Sequence, residues 1–402
     1  MDAANERSRT SLYAAVAAIA LVASFAGWVT TTSLQQDFAA YWVAGAARRA
    51  GLDPYVNHAP RLWDGVAVFA HSRFLYPPVV AEAFRPFALL PYAAAKALFT
   101  ALLVVAWAVA AARIAARGSR PALIWISAAA SYPVLLALER GQVELIVLAL
   151  LVAAFDDATR PVLAGAALGA AAALKPGLLL AVLVLAALGR GRVVAWAAAT
   201  LAGVAVASLG ICGTTITHEY ATVVLPRAAL FGEGGDETML LPGERLAEHA
   251  DDLAAGIARV DGRVYRQAAW DGPVGASLPR VLAPVSPTKL TTRLPALAFA
   301  LLLIVAALSA RRRSPERLPW AAAVAAVVAS PAGWVMGLVV ALPLVLWLTR
   351  EREPRTVPRV ALGAALLACL CPPLLPGLAA VAAATLVTVV AVSTAVAPRD
   401  GG

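Results

Sequence analysis

Hydrophobic positions fall along this chain in long blocks, without the strict alternation of half-buried strands. Apolar segments occupy about 11–32, 91–112, 121–138, 143–155, 161–174, 177–188, 193–212, 294–310, 317–331, 334–349, 358–371 and 376–397. The pattern predicts an all-α polytopic membrane protein with about twelve transmembrane segments, forming a single unit over 1–402. Three segments, 143–155, 161–174 and 177–188, fall short of the ~20 residues a span requires. Helices ending inside a bilayer are tolerated where they are buried in protein or line a wet cavity. Their ends are therefore informative: Glu139-Arg140-Gly141-Gln142-Val143-Glu144 stands at one, and Leu174-Lys175-Pro176-Gly177 at the next.

Arginine placement orients these segments. One set of loops carries Arg7, Arg9, Arg113, Arg117, Arg120, Arg160, Arg190, Arg192, Arg311, Arg312, Arg313, Arg317, Arg350, Arg352, Arg355, Arg359 and Arg399. That set is the denser in positive charge, which marks it as cytoplasmic and places both termini inside. Two polar regions, 33–90 and 213–292, then share the opposite, extracytoplasmic side and hold all four histidines. Within the second, residues 245–259 read as an amphipathic surface helix and Gly232-Glu233-Gly234-Gly235-Asp236 as a mobile loop. Arg7 and Arg9 ahead of Leu12 resemble the start of a signal peptide. The apolar run continues to Val29 without a small-x-small site, so an uncleaved first helix is expected.

Composition narrows the class. The chain has 402 residues, 61% hydrophobic and 14% charged, with too little charge to cover a soluble protein of this length. The net charge of +9 reflects topology-setting arginines, so nucleic acid is not indicated. Scarce lysine beside abundant arginine and alanine points to a bacterial source, hence a bacterial inner membrane. Cys212, Cys369 and Cys371 form neither a disulfide framework nor a zinc pattern. Walker motifs, dinucleotide fingerprints and metal-ligand spacings are missing, so neither a nucleotide nor a metal cofactor is expected.

The densest acidic and aromatic stretch in so apolar a chain runs from Gln36 to Pro78. It contains Asp37-Phe38-Ala39-Ala40-Tyr41-Trp42, Gly51-Leu52-Asp53-Pro54-Tyr55 and Phe74-Leu75-Tyr76-Pro77-Pro78. It is too polar to cross lipid and is expected at the membrane surface, with Asp37 where the first helix emerges. On the inferred topology one face gathers carboxylates (Asp37, Asp53, Glu139, Glu144), cations (Arg73, Arg140, Lys175) and aromatics (Tyr41, Trp42, Tyr55, Tyr76). Such a set suits a phosphorylated, sugar-bearing lipid. A cation offsets the phosphate, aromatic faces and carboxylates meet the sugar, and displacement at the anomeric carbon needs a base and a cation behind the leaving phosphate. Structural roles stand beside these. Asp37 could end a helix in solvent, and Tyr41 and Trp42 could anchor at the interface. Arg140 could pair with Glu139 or Glu144, and Lys175 could snorkel to the surface, although Pro176 argues for a broken helix.

The ordered series Asp-x3-Tyr-Trp, Gly-x-Asp-Pro-Tyr, Tyr-Pro-Pro, Leu-Pro, Arg-Gly-Gln and a Lys-Pro break resembles glycosyltransferase family 87. The resemblance covers about residues 35–190. It is looser at Gly275-Ala276-Ser277-Leu278-Pro279-Arg280 and Ser330-Pro331-Ala332-Gly333-Trp334. It implies a GT-C-fold membrane enzyme that uses a polyprenyl-phosphate sugar, chiefly mannose. It further implies inverting transfer to a lipid-linked or glycan acceptor on the extracytoplasmic face. Asp37 matches the acidic residue after the first helix; Arg140, Gln142 and Lys175 fall where polar cavity residues are expected. Two departures stand out. Val335, Met336 and Gly337 follow Trp334 where family members often carry a histidine, and Glu144 replaces a familiar asparagine. Either the base role passes to Asp37, or the chain is a divergent member with another acceptor or reduced activity.

The expected assignments follow. Asp37 is the general base; Lys175, with Arg140 or Arg73, holds the donor phosphate; Tyr41, Trp42, Tyr76, Gln142, Glu144 and Trp334 shape the sugar pocket. The expected partners are the polyprenyl-phosphate sugar, a glycolipid or glycan acceptor and membrane lipid. A lipid-linked-sugar transporter or a non-catalytic binder of such lipids is the alternative.

Overall fold

The computed structural model of the chain describes residues 3–56, 58, 70–156, 158–226, 238–240, 251, 255, 257–260, 262–266, 275–282, 289–310, 316–330, 333–345, 357–371 and 377–396. Among these residues the chain is almost wholly helical. Five helices are long and apolar enough to span: Ser8–Thr32, Tyr92–Ala115, Gly191–Cys212, Arg293–Ala310 and Leu378–Ala395. Their outer faces carry stripes of exposed apolar side chains, such as Leu12, Val16 and Ile19, or Leu297, Leu301, Val305 and Leu308. Stripes like these suit lipid rather than water. The protein is a polytopic all-α membrane protein.

Between the long helices lie short ones, as the apolar lengths predict. Glu144–Ala154, Pro161–Leu174, Pro176–Ala187, Arg317–Val328 and Val335–Leu344 have 10–17 residues each. Two expected segments take other forms. The one over 121–138 breaks into Pro121–Ala129 and Tyr132–Arg140, bent by 44°. Pro133 is the cause, because it can neither donate to the preceding turn nor leave Tyr132 comfortably helical. The one over 334–349 is a 3-10 helix over Val335–Leu344, with Pro343 inside it.

The first helix, α1 (Ala3–Thr32), absorbs the polar Thr30-Thr31-Thr32 exit. The hydroxyls of Thr30 and Thr32 bond back to the Ala26 and Trp28 carbonyls, 2.6 Å and 2.8 Å away. A turn at Ser33–Gln35 leads into α2 (Gln36–Arg49), which is buried continuously from Gln36 to Ala47. The stretch is therefore covered by protein rather than by water. Phe38 and Tyr41 pack their rings on Phe99 and Phe84, at 4.9 Å in each case, which draws the helix into the protein. A short β1 (Ala70–Ser72) and α3 (Pro78–Phe84) precede α4 (Tyr92–Ala115). The bent pair is α5 (Pro121–Ala129) and α6 (Tyr132–Arg140); α7 (Glu144–Ala154), α8 (Pro161–Leu174), α9 (Leu179–Ala187) and α10 (Gly191–Ala207) follow.

Gly165 and Gly169 let α8 and α10 touch closely: a Cβ on Gly169 would lie 2.6 Å from the Ala197 carbonyl and from Thr200 Cβ. This small-xxx-small pattern is a membrane-helix packing device.

Strands join the polar regions. β1 pairs antiparallel with β2 (Thr238–Leu240), aligning Ala70 with Leu240 and Ser72 with Thr238. β3 (Ile257–Val260) and β4 (Arg263–Arg266) form a hairpin around Gly262, whose φ is +72°. The surface helix expected over 245–259 lies mostly outside the described residues. Ala255 N donates to Asp251 O as in a helical turn, but from Ile257 the chain is strand. The loop expected at 232–236 lies outside the described residues altogether.

Candidate active site

Asp37 sits in the first turn of α2 and is 2% exposed, so the solvent reading fails for it. It is near enough to Lys175, Tyr41 and Tyr76 to act on each electrostatically. One turn further on, Tyr41 is 1% exposed and donates its hydroxyl to Gln142 Oε1 at 2.6 Å. The Tyr76 hydroxyl lies 2.9 Å from that of Tyr41 and 3.2 Å from Gln142 Oε1. Tyr41, Tyr76 and Gln142 thus close a triangle from three segments far apart in sequence. Tyr41 is committed to this triangle and is no interfacial anchor.

The Arg140-Gly141-Gln142 turn is held by backbone geometry. Gly141 ends α6 in the left-handed region, with φ +67°, and a Cβ there would lie 2.7 Å from Phe38 Cβ. Only glycine satisfies both conditions, and the turn is thereby pressed against the start of α2. Arg140 is buried and donates to Gln36 Oε1, while Glu139 pairs with Arg266 at 2.7 Å. The adjacent pairing considered for Arg140 and Glu139 is therefore not the one adopted.

Glu144 opens α7 and meets Lys175, at the break between α8 and the 3-10 turn Pro176–Leu178, with Oε1 2.8 Å from Nζ. Its Oε2 is buried and accepts no hydrogen bond among the described residues. Lys175 Nζ also lies 5.7 Å from the centre of the Tyr76 ring. The lysine is turned inward, although its side chain keeps 33% exposure, the most of any measured in this cluster. The Lys175–Glu144 pair thus joins the tyrosine triangle and Asp37 in one polar cluster.

Other expected residues are placed differently. Trp42 is buried edge-on to Tyr92, with ring centres 5.9 Å apart. Arg73 is half-buried directly after β1. Trp334 is half-buried in an isolated bridge to Gly275, the neighbour of the Ala276 amide that donates to Gly333 O at 2.8 Å. The two looser motifs therefore meet each other. Sequence reasoning missed Gln35, Lys96 and Tyr265, which brace the turn before Asp37. The signal available for Lys96 was its being one of three lysines and lying inside a span.

Tyr55 and Tyr220 pack next to the cluster, on the Tyr76 side. The Tyr55 hydroxyl donates to Tyr76 O at 2.8 Å, and its ring stacks on Tyr220 at 6.1 Å. Burial, then the neighbouring Tyr220 and Asp53, push the Tyr55 phenol far above its usual range. Burial pushes Tyr220 up to about 12. Glu219 is raised by burial and by its hydrogen bond to Asp53, so a carboxyl pair sits at the rim. Beside it Glu82 is lowered: burial opposes its charge, but hydrogen bonds from Arg85 and Arg48 outweigh that. Among the described residues no cluster of His, Cys, Asp and Glu could hold a metal ion.

A comparison with protein families matches residues 74–331 to glycosyltransferase family 87. That range holds Tyr76, Arg140, Gln142, Glu144 and Lys175, begins after Asp37 and Tyr41, and ends before Trp334. No curated protein and no solved structure matches the chain. With more than half its length matched, and with Tyr76, Gln142 and Lys175 gathered in one cluster, the chain belongs to glycosyltransferase family 87.

Proposed function

We propose that this glycosyltransferase transfers a sugar, mannose in the first instance, from a polyprenyl-phosphate donor to a lipid-linked or glycan acceptor. The reaction takes place on the extracytoplasmic face of a bacterial inner membrane, in a GT-C fold of about twelve segments with both termini cytoplasmic. The observation that carries the reading is the buried Asp37 beside a lysine–tyrosine–glutamine cluster at the ends of short helices.

In the reaction an acceptor hydroxyl attacks the anomeric carbon from the face opposite the phosphate. The new carbon–oxygen bond forms as the carbon–phosphate-oxygen bond breaks, with inversion. Asp37 takes the hydroxyl proton. The leaving polyprenyl phosphate gathers negative charge, which the Lys175 ammonium meets beside buried polar side chains. Arg140 supports α2 through Gln36, and the phosphate role falls first to Lys175, with Arg73 as the second cation. Tyr41, Tyr76, Gln142 and Glu144 present hydroxyl, amide and carboxylate groups to the sugar; Trp42 backs α2, and Trp334 borders the acceptor side. No cofactor takes part.

The test is mass-spectrometric turnover of polyprenyl-phosphate mannose by purified protein in detergent, with membrane lipid extract as the acceptor pool. Loss of donor with a new hexosylated lipid supports the reading. An intact donor, together with donor-dependent thermal stabilisation, would replace it with a lipid-sugar binder or transporter.

A further inference from the structure

The turn between α1 and α2 is bound at every backbone polar atom. Ser33 N donates to Val29 O, Leu34 N to Arg266 O and Gln35 N to Ser33 Oγ, at 2.9, 2.9 and 3.2 Å. Ser33 O accepts from Lys96 Nζ at 2.7 Å, Leu34 O from the Tyr92 hydroxyl, and Gln35 O from Ala39 N at 2.9 Å. The side chains do the same: Ser33 Oγ donates to Glu139 O, and Gln35 Nε2 to Leu138 O and Thr100 Oγ1. Such saturation holds a strained conformation. Gln35 has φ 55° and ψ 67°, the one non-glycine positive φ among the described residues. A left-handed residue of this size costs on the order of 1 kcal/mol and persists where its surroundings over-determine it. Asp37 follows two residues later.

Lys96 is the costliest member. It is fully buried, and its described contacts are the Ser33 carbonyl, the Tyr265 ring at 3.6 Å and the Tyr92 ring at 5.6 Å. Burying an ammonium is expensive, and an apolar side chain of similar length often stabilises such a site. A lysine spent on one carbonyl is explained when the position of that carbonyl matters. The β3–β4 hairpin, from the second polar region, completes the clamp: it brings Tyr265 over the ammonium and Arg266 O onto Leu34 N.

We propose that Lys96, capped by Tyr265, is a positioning residue that fixes the left-handed Gln35 turn and thereby aims Asp37. The inference rests on Asp37 being the base. The experiment measures kcat, donor KM and thermal midpoint for Lys96→Met and Tyr265→Leu, each alone and with Asp37→Asn. Lys96→Met should lower kcat about 10–100-fold, the scale of ångström-sized misplacement, with donor KM and thermal midpoint held or the midpoint raised. Neither substitution should lower the rate further once Asp37 is Asn.

Tyr265→Leu lies outside the membrane helices. It should lower kcat about 3–10-fold by the same route, and it carries the test if Lys96→Met does not fold. Unchanged kcat in both variants overturns the proposal. So does a joint collapse of midpoint, KM and kcat, which marks an ordinary structural lysine. A further loss in the Asp37→Asn background means that Lys96 acts through another group. A wild-type rate in Asp37→Asn alone locates the failure in the base assignment instead.

Discussion

Glu144 Oε1 lies 2.8 Å from Lys175 Nζ, so the cation proposed to receive a phosphate already holds an internal carboxylate. A donor phosphate competes with Glu144 for that ammonium. Glu144→Gln should therefore lower the donor KM severalfold, and Lys175→Ala should raise it at least ~10-fold, the scale of a lost charge-assisted contact. Removing Lys175 alone should also destabilise the fold by about 1–2 kcal/mol, below the ~3–5 of a fully buried pair because Lys175 keeps 33% exposure. Donor titration and thermal unfolding of both variants check this; an unchanged KM in Lys175→Ala would return the lysine to a purely structural pair.

Asp37→Asn should reduce turnover by roughly 10²–10⁴-fold while donor binding is kept, as expected for loss of a general base. The substitution preserves size, so folding should be retained. A near-normal rate would end the assignment.

Gln142→Leu should leave the Tyr41 and Tyr76 hydroxyls without their shared acceptor. Stranding buried donors costs about 1–3 kcal/mol. Tyr41→Phe, which leaves the Tyr76 hydroxyl on Gln142, should cost about 0.5–1.5 kcal/mol. In the double variant the losses should fall short of their sum, because both act on one triangle. Denaturant unfolding in detergent measures the cycle, and strict additivity would break up the triangle as a unit.

Gly141→Ala should be the most damaging single methyl in the site. It combines a φ of +67° with a 2.7 Å approach to Phe38 Cβ, and its cost should exceed the ~1 kcal/mol of the left-handed backbone alone. Activity should fall with stability, since the same turn carries Arg140 and Gln142.

The two rim carboxylates predict opposite pH responses. Glu219 is raised in the folded protein, so its stabilising contribution is complete below its unfolded value and is lost as pH rises through the folded one. Glu82 is lowered, so its contribution is present above its unfolded value and is lost as pH falls through the folded one. Glu219→Gln should raise the thermal midpoint at pH 7 and leave it unchanged at pH 4; Glu82→Gln should lower it at pH 7 and matter little at pH 3. Melting curves across pH check both signs.

Much of this architecture was legible in the sequence. The lengths of the apolar runs located the short helices at Glu144–Ala154 and Pro161–Leu174, because hydrophobic length is a local property. Motif order brought Tyr41, Tyr76, Gln142 and Lys175 together, and the structure places them in one cluster. Several things were not readable, because they depend on long-range packing. Periodicity does not show that Glu144, rather than Glu139 or Arg140, would face Lys175. Nor does it show that Arg266 would cross from the second polar region to Leu34 and Glu139. Nor does it show that the end of the helix expected over 245–259 would be strand from Ile257, in a hairpin whose Arg266 bridges Ser33 of the α1–α2 turn. Adjacent helix positions face different ways, so Tyr41 meets Gln142 while Trp42 packs on Tyr92, a division that the Tyr-Trp motif does not reveal.

The short helices carry a consequence for the surrounding lipid. At about 1.5 Å per residue, Glu144–Ala154 and Pro161–Leu174 are roughly 16 and 21 Å long, against a hydrocarbon slab of about 30 Å. Glu144–Ala154 is buried in protein along most of its length, but Pro161–Leu174 keeps Val162 and Leu163 exposed, and lipid beside it meets the shortfall by thinning. Acyl-chain length then becomes a control on this glycosyltransferase: thin bilayers ease the deformation, and thick ones oppose it. Organelle-like sorting by thickness is not needed for that effect; a change of growth temperature, which remodels lipid chains, is enough to tune it.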